Sequence, residues 1–211
     1  MPRLNRAASQ SRTRAALLAA ARSVLVETGI GAASVDLIAE RAGYSKGAVY
    51  SNFASKESIL LVLLEEQMTV EVNALSELLQ QSLPLDDLLE RVRALYASMH
   101  SDPGIAILAV EFQLLATRSP TVRRSYNALW SRHRAALSDL IVVAAGRLGL
   151  QLRTPPPDLV DALAALMRGL VLRDAIGRVK GAKSAQDVLI DFLRDELSYV
   201  VSNPAPRAAK T

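Results

Sequence analysis

The sequence contains no cysteine, which excludes disulfides, thiolate metal sites and cysteine nucleophiles. Its two histidines, His100 and His133, could form a zinc site only together with several carboxylates. Aromatic residues are scarce, with three Phe, five Tyr and one Trp among 211 residues. No stretch of about 18 apolar residues is free of charge, and we therefore expect no membrane-spanning helix.

The N-terminus has the charge pattern of a targeting signal, because the basic segment MPRLNRAASQSRTR precedes the apolar run AALLAAA. Arg22 and Glu27 interrupt the apolar stretch, however, and the same segment continues with the periodicity of an amphipathic helix. We interpret it as part of the mature protein. Together with the missing cysteines, this favours a cytoplasmic location.

Half of the residues are apolar, and they recur at helical spacing among Ala, Leu, Glu and Arg rather than in alternating runs. This pattern predicts an all-α fold without a confident strand. Glycines, prolines and capping residues divide the chain into about nine helices, expected at residues 9–28, 35–42, 45–54, 56–81, 85–101, 104–117, 120–149, 158–178 and 185–202.

The net charge of +4 is distributed unevenly. The first 60 residues carry eight Lys or Arg and four Asp or Glu, whereas the remaining chain carries seventeen of each. The whole surplus therefore lies at the N-terminal end. A basic module on a neutral body indicates an anionic partner at that end, although a solvated surface could show the same asymmetry.

Two short helices with a glycine between them begin at residue 35. Ser34 caps the first helix, VDLIAERA, and a second short helix begins near Ser45. Ala39 is small where the two helices must cross, Gly43 can adopt the positive φ of a tight turn, and Val49 supplies an apolar contact. These features predict a helix-turn-helix.

The second of these helices has the chemistry of a DNA-reading element. Its first backbone amides attract phosphate, and Gly47 has no side chain, so DNA can come close. The side chains that we expect to face bases are Lys46, Ser51 and Asn52, and those that we expect at phosphates are Tyr50 and Lys56.

The segment SVDLIAERAGYSKGAVYSNFASKES, residues 34–58, resembles the DNA-binding domain of the TetR family of bacterial transcriptional repressors. Gly43, Gly47, Tyr50, Phe53 and Lys56 stand where the motif of that family has them, and the resemblance extends over about residues 10–65. The resemblance implies a homodimer that binds double-stranded palindromic operator DNA and that a small ligand releases.

Carried over by position, the resemblance also implies roles for single residues. The implied phosphate contacts are Ser34, Ser45, Gly47, Tyr50 and Lys56. The implied base-facing set is Lys46, Ala48, Ser51 and Asn52. The family often has an aromatic residue or histidine where this chain has Ser51, so no base preference is transferred. The arginines before the first helix, Arg3, Arg6, Arg12 and Arg14, could contact DNA or form a solvated arm.

We expect a DNA-binding domain at residues 1–54, a larger helical domain at 55–202 for ligand binding and dimerisation, and a disordered tail at 203–211. Polarizable and aromatic side chains suggest a ligand pocket in the larger domain, with ordinary core packing as the alternative. The candidate pocket residues are Met68, Tyr96, Met99, His100, Glu111, Phe112, Tyr126, Trp130 and Met167. Glu111 interrupts an apolar helix and should either pair with Arg123 or Arg124, or bind a ligand.

The last two helices carry apolar stripes that fit a four-helix dimer interface, unless both simply cover the core. The candidate interface residues are Leu159, Leu163, Leu166, Leu170, Val188, Phe192 and Leu197.

The sequence thus predicts a ligand-responsive, homodimeric transcriptional repressor with no cofactor, metal or membrane. Two alternatives stay open. One is a regulator of the same fold that a partner protein controls. The other is an all-α enzyme using Glu111 with His100 or His133, although no catalytic triad or phosphate-binding loop is present.

Overall fold

The structure, a computed structural model, describes residues 6–197, with side chains from residue 8 onward. These residues form nine α-helices and no strand, which confirms the all-α prediction. The segment 203–211, Arg3 and the side chain of Arg6 lie outside what the structure describes. The helices are α1 (Arg6–Ala32), α2 (Val35–Ala42), α3 (Lys46–Asn52), α4 (Lys56–Gln80), α5 (Leu85–Met99), α6 (Gly104–Arg118), α7 (Pro120–Leu148), α8 (Pro156–Ala175) and α9 (Ala185–Leu197).

The observed helix ends follow the local signals in the sequence. α8 begins at Pro156, two residues before the predicted start. The backbone N–H groups of the first helical turn have no partner within the helix, so a proline there loses no hydrogen bond. Ser184 and Asp187 form a capping box before α9: Ser184 N donates to Asp187 Oδ2 (3.4 Å), and Asp187 N donates to Ser184 Oγ (3.1 Å). The hydrogen bonds from Ser184 also lower the pKa of Asp187.

α1 departs from its predicted end at Gly29. The helical turns continue to Ala32, but Gly29 itself has φ 74° and ψ 168°, which is not helical. Glycine adopts this conformation without the steric cost that a Cβ would add. The break therefore lies where the sequence placed the helix end, and a short extra turn follows it.

The chain divides into two compact units. The first contains the residues up to Glu71 together with Asp102–His133. Its core gathers around α1 and includes the fully covered side chains of Leu17, Leu25, Ile38 and Phe112. The buried face of α1 explains why its apolar residues recur every three to four positions.

The second unit contains Val72–Ser101 and the described residues from Arg134 onward. In it, α9 packs against both α5 and α8. Its buried residues include Leu88, Val160 and Leu189. The two units are defined by packing. The predicted boundary after residue 54 instead separates DNA binding from ligand binding and dimerisation, and it stays a prediction.

One stretch of α1, Ala8–Ala32, is long and apolar enough to cross a membrane by length and composition alone. Signal sequences and core helices of folded proteins pass the same test. Here Leu17, Ala21, Val24 and Leu25 are 0% exposed within the first unit. Their burial assigns this stretch to the protein core.

Candidate DNA-binding surface

The turn between α2 and α3 has the geometry predicted from the sequence. Ser34 Oγ accepts from Leu37 N (3.1 Å) and so caps α2. Gly43 ends α2 with φ 73°, in the left-handed region. Ser45 Oγ accepts from Ala48 N (3.2 Å) and caps α3. A glycine therefore ends the helix before the turn, and a serine caps the helix after it, as is usual for these positions.

The inner faces of α2 and α3 form a small apolar core. Ile38 and Ala39 of α2 are buried, as are Val49 of α3 and Phe53 just after it. These are the contacts that the spacing in the sequence predicted. Because these apolar residues occupy the inner faces, the other side chains of α3 lie toward its outer face.

The outward face of α3 carries the predicted DNA-contacting residues. Tyr50 is 53% exposed, an unusual exposure for a large aromatic side chain. Ala48 and Asn52 are half-buried. The exposed members of the predicted set are Ser34, Ser45, Lys46, Gly47, Tyr50 and Ser51. Most of the predicted residues lie on α3 or at its N-cap, Ser45. Ser34 lies at the N-cap of α2, and Lys56 is the first residue of α4.

Hydrogen bonds already hold two of the predicted base-facing side chains. Ser51 Oγ and Asn52 Nδ2 both donate to the carbonyl of Ala48, at 2.9 and 2.8 Å. In this geometry the Asn52 amide group lies along the helix. Reading a base with Nδ2 requires Asn52 to release Ala48, whereas Oδ1 can accept without that change.

Arg14 of α1 supports the end of α3. Its Nη1 donates to the carbonyl of Asn52 (3.0 Å), and its guanidinium lies 4.3 Å from the centre of the Phe53 ring. A cation favours the negative end of a helix, and the aromatic face adds a cation–π contact. The sequence suggested a DNA-contacting or solvated arm for Arg14; in the structure it contacts the end of α3.

A second arginine fastens α2 to α1. Arg41 donates to both carboxylate oxygens of Glu27, at 2.8 and 2.9 Å, and to Ser23 Oγ (2.8 Å). The hydrogen bonds from Arg41 and Ser23 lower the pKa of Glu27 to about 2. Sequence periodicity did not identify this network, because its members are 14 and 18 residues apart.

Lys56 makes contacts that the sequence did not predict. Its Nζ donates to the carbonyls of Ile30 (2.5 Å) and Ala33 (2.7 Å). The ammonium group therefore ties the start of α4 to the chain between α1 and α2. A role for Lys56 at a flanking phosphate stays a prediction.

Lys46 lies against an acidic residue of α2. Its Nζ is 2.8 Å from Asp36 Oδ1, and the hydrogen bond with Asp36 raises the pKa of Lys46. Asp36 lies in the first turn of α2, where the helix dipole favours a negative charge. In the structure its carboxylate lies beside the residue that we expect to read DNA.

We expect opposite effects from neutralising the two partners. Asp36→Asn should strengthen operator binding a few-fold, because a negative charge next to the phosphates is lost. Lys46→Ala should weaken it by about tenfold and change the preferred sequence if Lys46 contacts a base. Fluorescence-anisotropy titrations and a binding-site selection measure both effects. Weaker binding by Asp36→Asn would instead show that Asp36 is needed to aim Lys46.

Two candidate pocket residues of the first unit, Phe112 and Tyr126, contact each other, and the others contact further side chains or the backbone. Phe112 is buried and its ring meets that of Tyr126 edge-on, at 6.1 Å between centroids. Gln113 Nε2 donates to the Tyr126 hydroxyl (2.5 Å). Trp130 lies 5.7 Å from the ring of His133. Met68 is partly buried against the same apolar cluster.

His133 and Glu71 form a covered polar pair that the sequence did not single out. His133 Nε2 is 3.2 Å from Glu71 Oε2, and their side chains are 6% and 18% exposed. Glu111 contacts neither of the arginines considered from the sequence. Its Oε2 accepts instead from Ile30 N at 2.7 Å.

The other candidate pocket residues belong to the second unit. Tyr96 and His100 stack with ring centroids 5.8 Å apart, and His100 Nδ1 lies 3.0 Å from the carbonyl of Tyr96. Met99 is half-buried next to them, and Met167 is buried in α8. A ligand pocket stays a prediction.

The proposed interface residues differ in their exposure. Leu159 is 1% exposed, so this side chain is covered within the chain. The remaining six are half-buried: Leu163, Leu166, Leu170, Val188, Phe192 and Leu197. Beside the three leucines, α8 exposes the small residues Ala162, Ala165 and Gly169.

No cluster of three or more potential metal ligands occurs among the described residues. The surface built by α2 and α3 presents exposed polar groups, a cation and an aromatic hydroxyl on one short helix. Such groups suit phosphate and base contacts in a DNA groove.

Comparison with known proteins also indicates a DNA-binding protein. The family model described as "Bacterial regulatory proteins, tetR family" matches residues 17–63. The regulator BetI of Vibrio vulnificus (strain YJ016) is 28% identical over 195 residues, which cover 87% of this chain and 91% of BetI.

Solved structures share the fold over almost the whole chain. A fatty acid degradation regulator, FadR of Bacillus halodurans, superposes with a TM-score of 0.67 at 20% identity, covering 91% of this chain and 97% of FadR. A regulator of Saccharomonospora viridis, solved in complex with choline, gives a TM-score of 0.66 at 20% identity, covering 92% of this chain and all of that one.

The matched segment spans α2 and α3 with their exposed polar face, and the curated relatives are transcriptional regulators rather than enzymes. The all-α enzyme considered from the sequence is therefore excluded. Residues 17–63 form an N-terminal helix-turn-helix domain of the TetR family, and the chain is a DNA-binding transcriptional regulator.

Proposed function

We propose that this regulator is a cytoplasmic, ligand-responsive repressor that binds palindromic operator DNA as a homodimer and is released by a small apolar or aromatic molecule. The observation that carries the proposal is the exposed face of α3, with Lys46, Gly47, Tyr50 and Ser51 on one short helix. Tyr50 and Ser45 suit phosphates, while Lys46 can reach base edges in a major groove.

Dimerisation through α8 and α9 is supported by what each helix leaves uncovered. The exposed Ala162, Ala165 and Gly169 allow another helix to approach closely, and half-buried leucines flank them. A second copy of the chain would bury this surface and would present two recognition helices. Two equivalent helices require two equivalent half-sites.

Ligand control is supported by the grouping of aromatic and polar side chains in the first unit. Phe112, Tyr126 and Trp130 offer apolar contacts, while Gln113 and His133 offer hydrogen bonds. This mixture suits a small molecule with an apolar body and few polar groups. The choline complex and the fatty acid regulator among the structural neighbours suggest both compounds as first probes.

A mobility-shift assay with the DNA that flanks the gene of this protein, followed by footprinting, tests operator binding. We expect a protected palindrome whose half-sites lie about 10–10.5 bp apart, or a multiple of that distance. Protection of a single, non-repeated site would contradict binding as a symmetric dimer. Stronger transcription from the bound promoter would contradict the repressor role.

Trp130 is the only tryptophan and reports on ligand binding without a label. A true inducer should change its emission and release operator DNA over the same concentration range, because both follow one binding event. Probes are choline, a medium-chain fatty acid and an aromatic carboxylic acid.

Trp130→Phe serves as the matched control for that titration. It keeps an aromatic ring, so the inducer should still release DNA while the fluorescence signal disappears. Release of DNA with unchanged Trp130 emission would place the ligand elsewhere. Failure of every probe, together with release by a cellular protein, would favour the partner-controlled alternative.

A further inference from the structure

At the break in α1, both backbone polar groups of Ile30 form hydrogen bonds with charged side chains. Gly29 leaves the helical conformation, so the N–H of Ile30 is turned out of the helix. This N–H donates to Glu111 Oε2 of α6 at 2.7 Å. The carbonyl of the same residue accepts from Lys56 Nζ of α4 at 2.5 Å. Hydrogen bonds to ionised groups are stronger than neutral ones.

The approach of α6 to α1 leaves little free space around this junction. A Cβ on Gly29 would lie 3.1 and 3.3 Å from the two carboxylate oxygens of Glu111. About two helical turns before Glu111, a Cβ on Gly104 would lie 2.5 Å from Val26 Cγ1. α6 therefore lies close to α1 both at Gly104 and at Glu111, and the contact at Glu111 is polar.

The held segment leads directly into the DNA-binding helices. Lys56 Nζ also donates to the carbonyl of Ala33, at 2.7 Å, and Ser34 next to Ala33 caps α2. Only Ala33 and Ser34 separate the end of α1 from α2. A change in the position of Ile30 would thus be passed to α2, and through the Gly43 turn to α3.

We propose that Glu111 is a positioning residue for operator binding, which sets the orientation of α2 and α3 on α6 through the peptide of Ile30. Glu111 was considered from the sequence as a ligand contact or as the partner of an arginine. The structure assigns its carboxylate to the backbone of the DNA-binding module instead. The inference rests on operator binding by α3, which the wild-type protein tests in the same assay.

The test compares Glu111→Leu with Glu111→Gln. Leucine removes the acceptor for Ile30 N–H, whereas glutamine keeps a carbonyl oxygen at the same reach. Three quantities are measured: hydrogen exchange of the Ile30 amide, affinity for the footprinted operator, and relative affinity for operators whose half-site separation is changed by one or two base pairs. Leu114→Ala, at an exposed site on the same helix, is the control.

For Glu111→Leu we expect Ile30 exchange to accelerate by about tenfold or more, and operator affinity to fall by about tenfold. Its preference for the natural half-site separation should become weaker, because the recognition helices are no longer held in one orientation. Glu111→Gln should restore most of the exchange protection and the separation preference. A residue needed only for stability would lower the melting temperature and leave that preference unchanged.

A Glu111→Leu variant with the wild-type separation preference would overturn the proposal, as would a Glu111→Gln variant that restores nothing. If Glu111→Leu does not fold, Glu111→Ser replaces it, because its hydroxyl is too short to reach Ile30 N–H. Absence of DNA binding by the wild-type protein would contradict the proposed operator function itself, and unchanged Ile30 exchange in Glu111→Leu would contradict the contact.

Discussion

Replacing Val188 and Phe192 with aspartate is expected to make the protein monomeric and to weaken operator binding by about 10²–10⁴-fold. Both side chains are half-buried and lie one turn apart on the same flank of α9. If a second copy covers this flank, two carboxylates would be buried there without partners, which strongly disfavours association.

The loss of DNA affinity follows from the loss of the dimer. Once one recognition helix of a dimer is bound, the second meets its half-site at a high effective concentration. A monomer has only one helix to bind and loses this gain. Analytical ultracentrifugation gives the mass, and anisotropy titration with the palindrome gives the affinity.

Matched variants separate this effect from a change in charge or in folding. Ala182→Asp adds a carboxylate at an exposed position just before α9 and should stay dimeric. Leu197→Asp tests the other flank, because five residues at about 100° each place Leu197 about 140° from Phe192. A Val188/Phe192 variant that remains dimeric would place the interface elsewhere, and a monomeric variant with full affinity would contradict the need for a dimer.

The parts of the DNA-binding surface that could be predicted depend on contacts close in sequence. Ser34 and Ser45 each cap a helix through an amide three residues later, and Gly43 ends α2 within the same turn. Such signals act over one helical turn, so residue types and their spacing suffice to recognise them. For this reason the short helices α2 and α3 appear at the predicted positions.

The contacts that escaped prediction join residues far apart in the chain. Arg14 meets the carbonyl of Asn52 across 38 residues, and Ile30 meets Glu111 across 81. Periodicity shows which face of a helix is buried, but not which helix will lie against it. The polar partner of Glu111 therefore became visible only once α6 was placed on α1.

The sequence also did not show which residues of an apolar stripe are buried within the chain and which stay partly exposed. Leu159 and Leu163 belong to one predicted stripe of α8, yet Leu159 is fully covered and Leu163 only half-buried. An amphipathic helix that packs on a core and also on a second copy has a broad apolar face, and spacing alone does not divide that face between the two.

Gly47→Ala is expected to weaken operator binding while leaving the protein as stable as before or more stable. Gly47 is exposed in the first turn of α3, and a Cβ there would meet only Ser45 Oγ, at 3.7 Å, an ordinary contact. Alanine is favoured over glycine in a helix by up to about 1 kcal/mol. The free protein therefore gives no reason for glycine at this position.

The reason we infer is the approach of DNA. If the backbone of α3 lies against a phosphate at Gly47, a methyl group in that contact should cost about 1–3 kcal/mol of binding free energy, as other overpacked contacts do. The larger and negatively charged side chain in Gly47→Glu should weaken binding further. Because the obstruction concerns the DNA backbone, the loss should be similar for every sequence tested.

Gly43→Ala provides the opposite pattern. Nothing lies within 4 Å of a Cβ at Gly43, but its φ of 73° is strained for alanine, by roughly 1–2 kcal/mol. That variant should lose stability in a urea titration and, once folded, keep most of its DNA affinity. If Gly47→Ala binds the operator as tightly as the wild type, the backbone of α3 does not approach DNA at this point. In that case the contact must be made by side chains such as Lys46 and Tyr50, held farther from the phosphates.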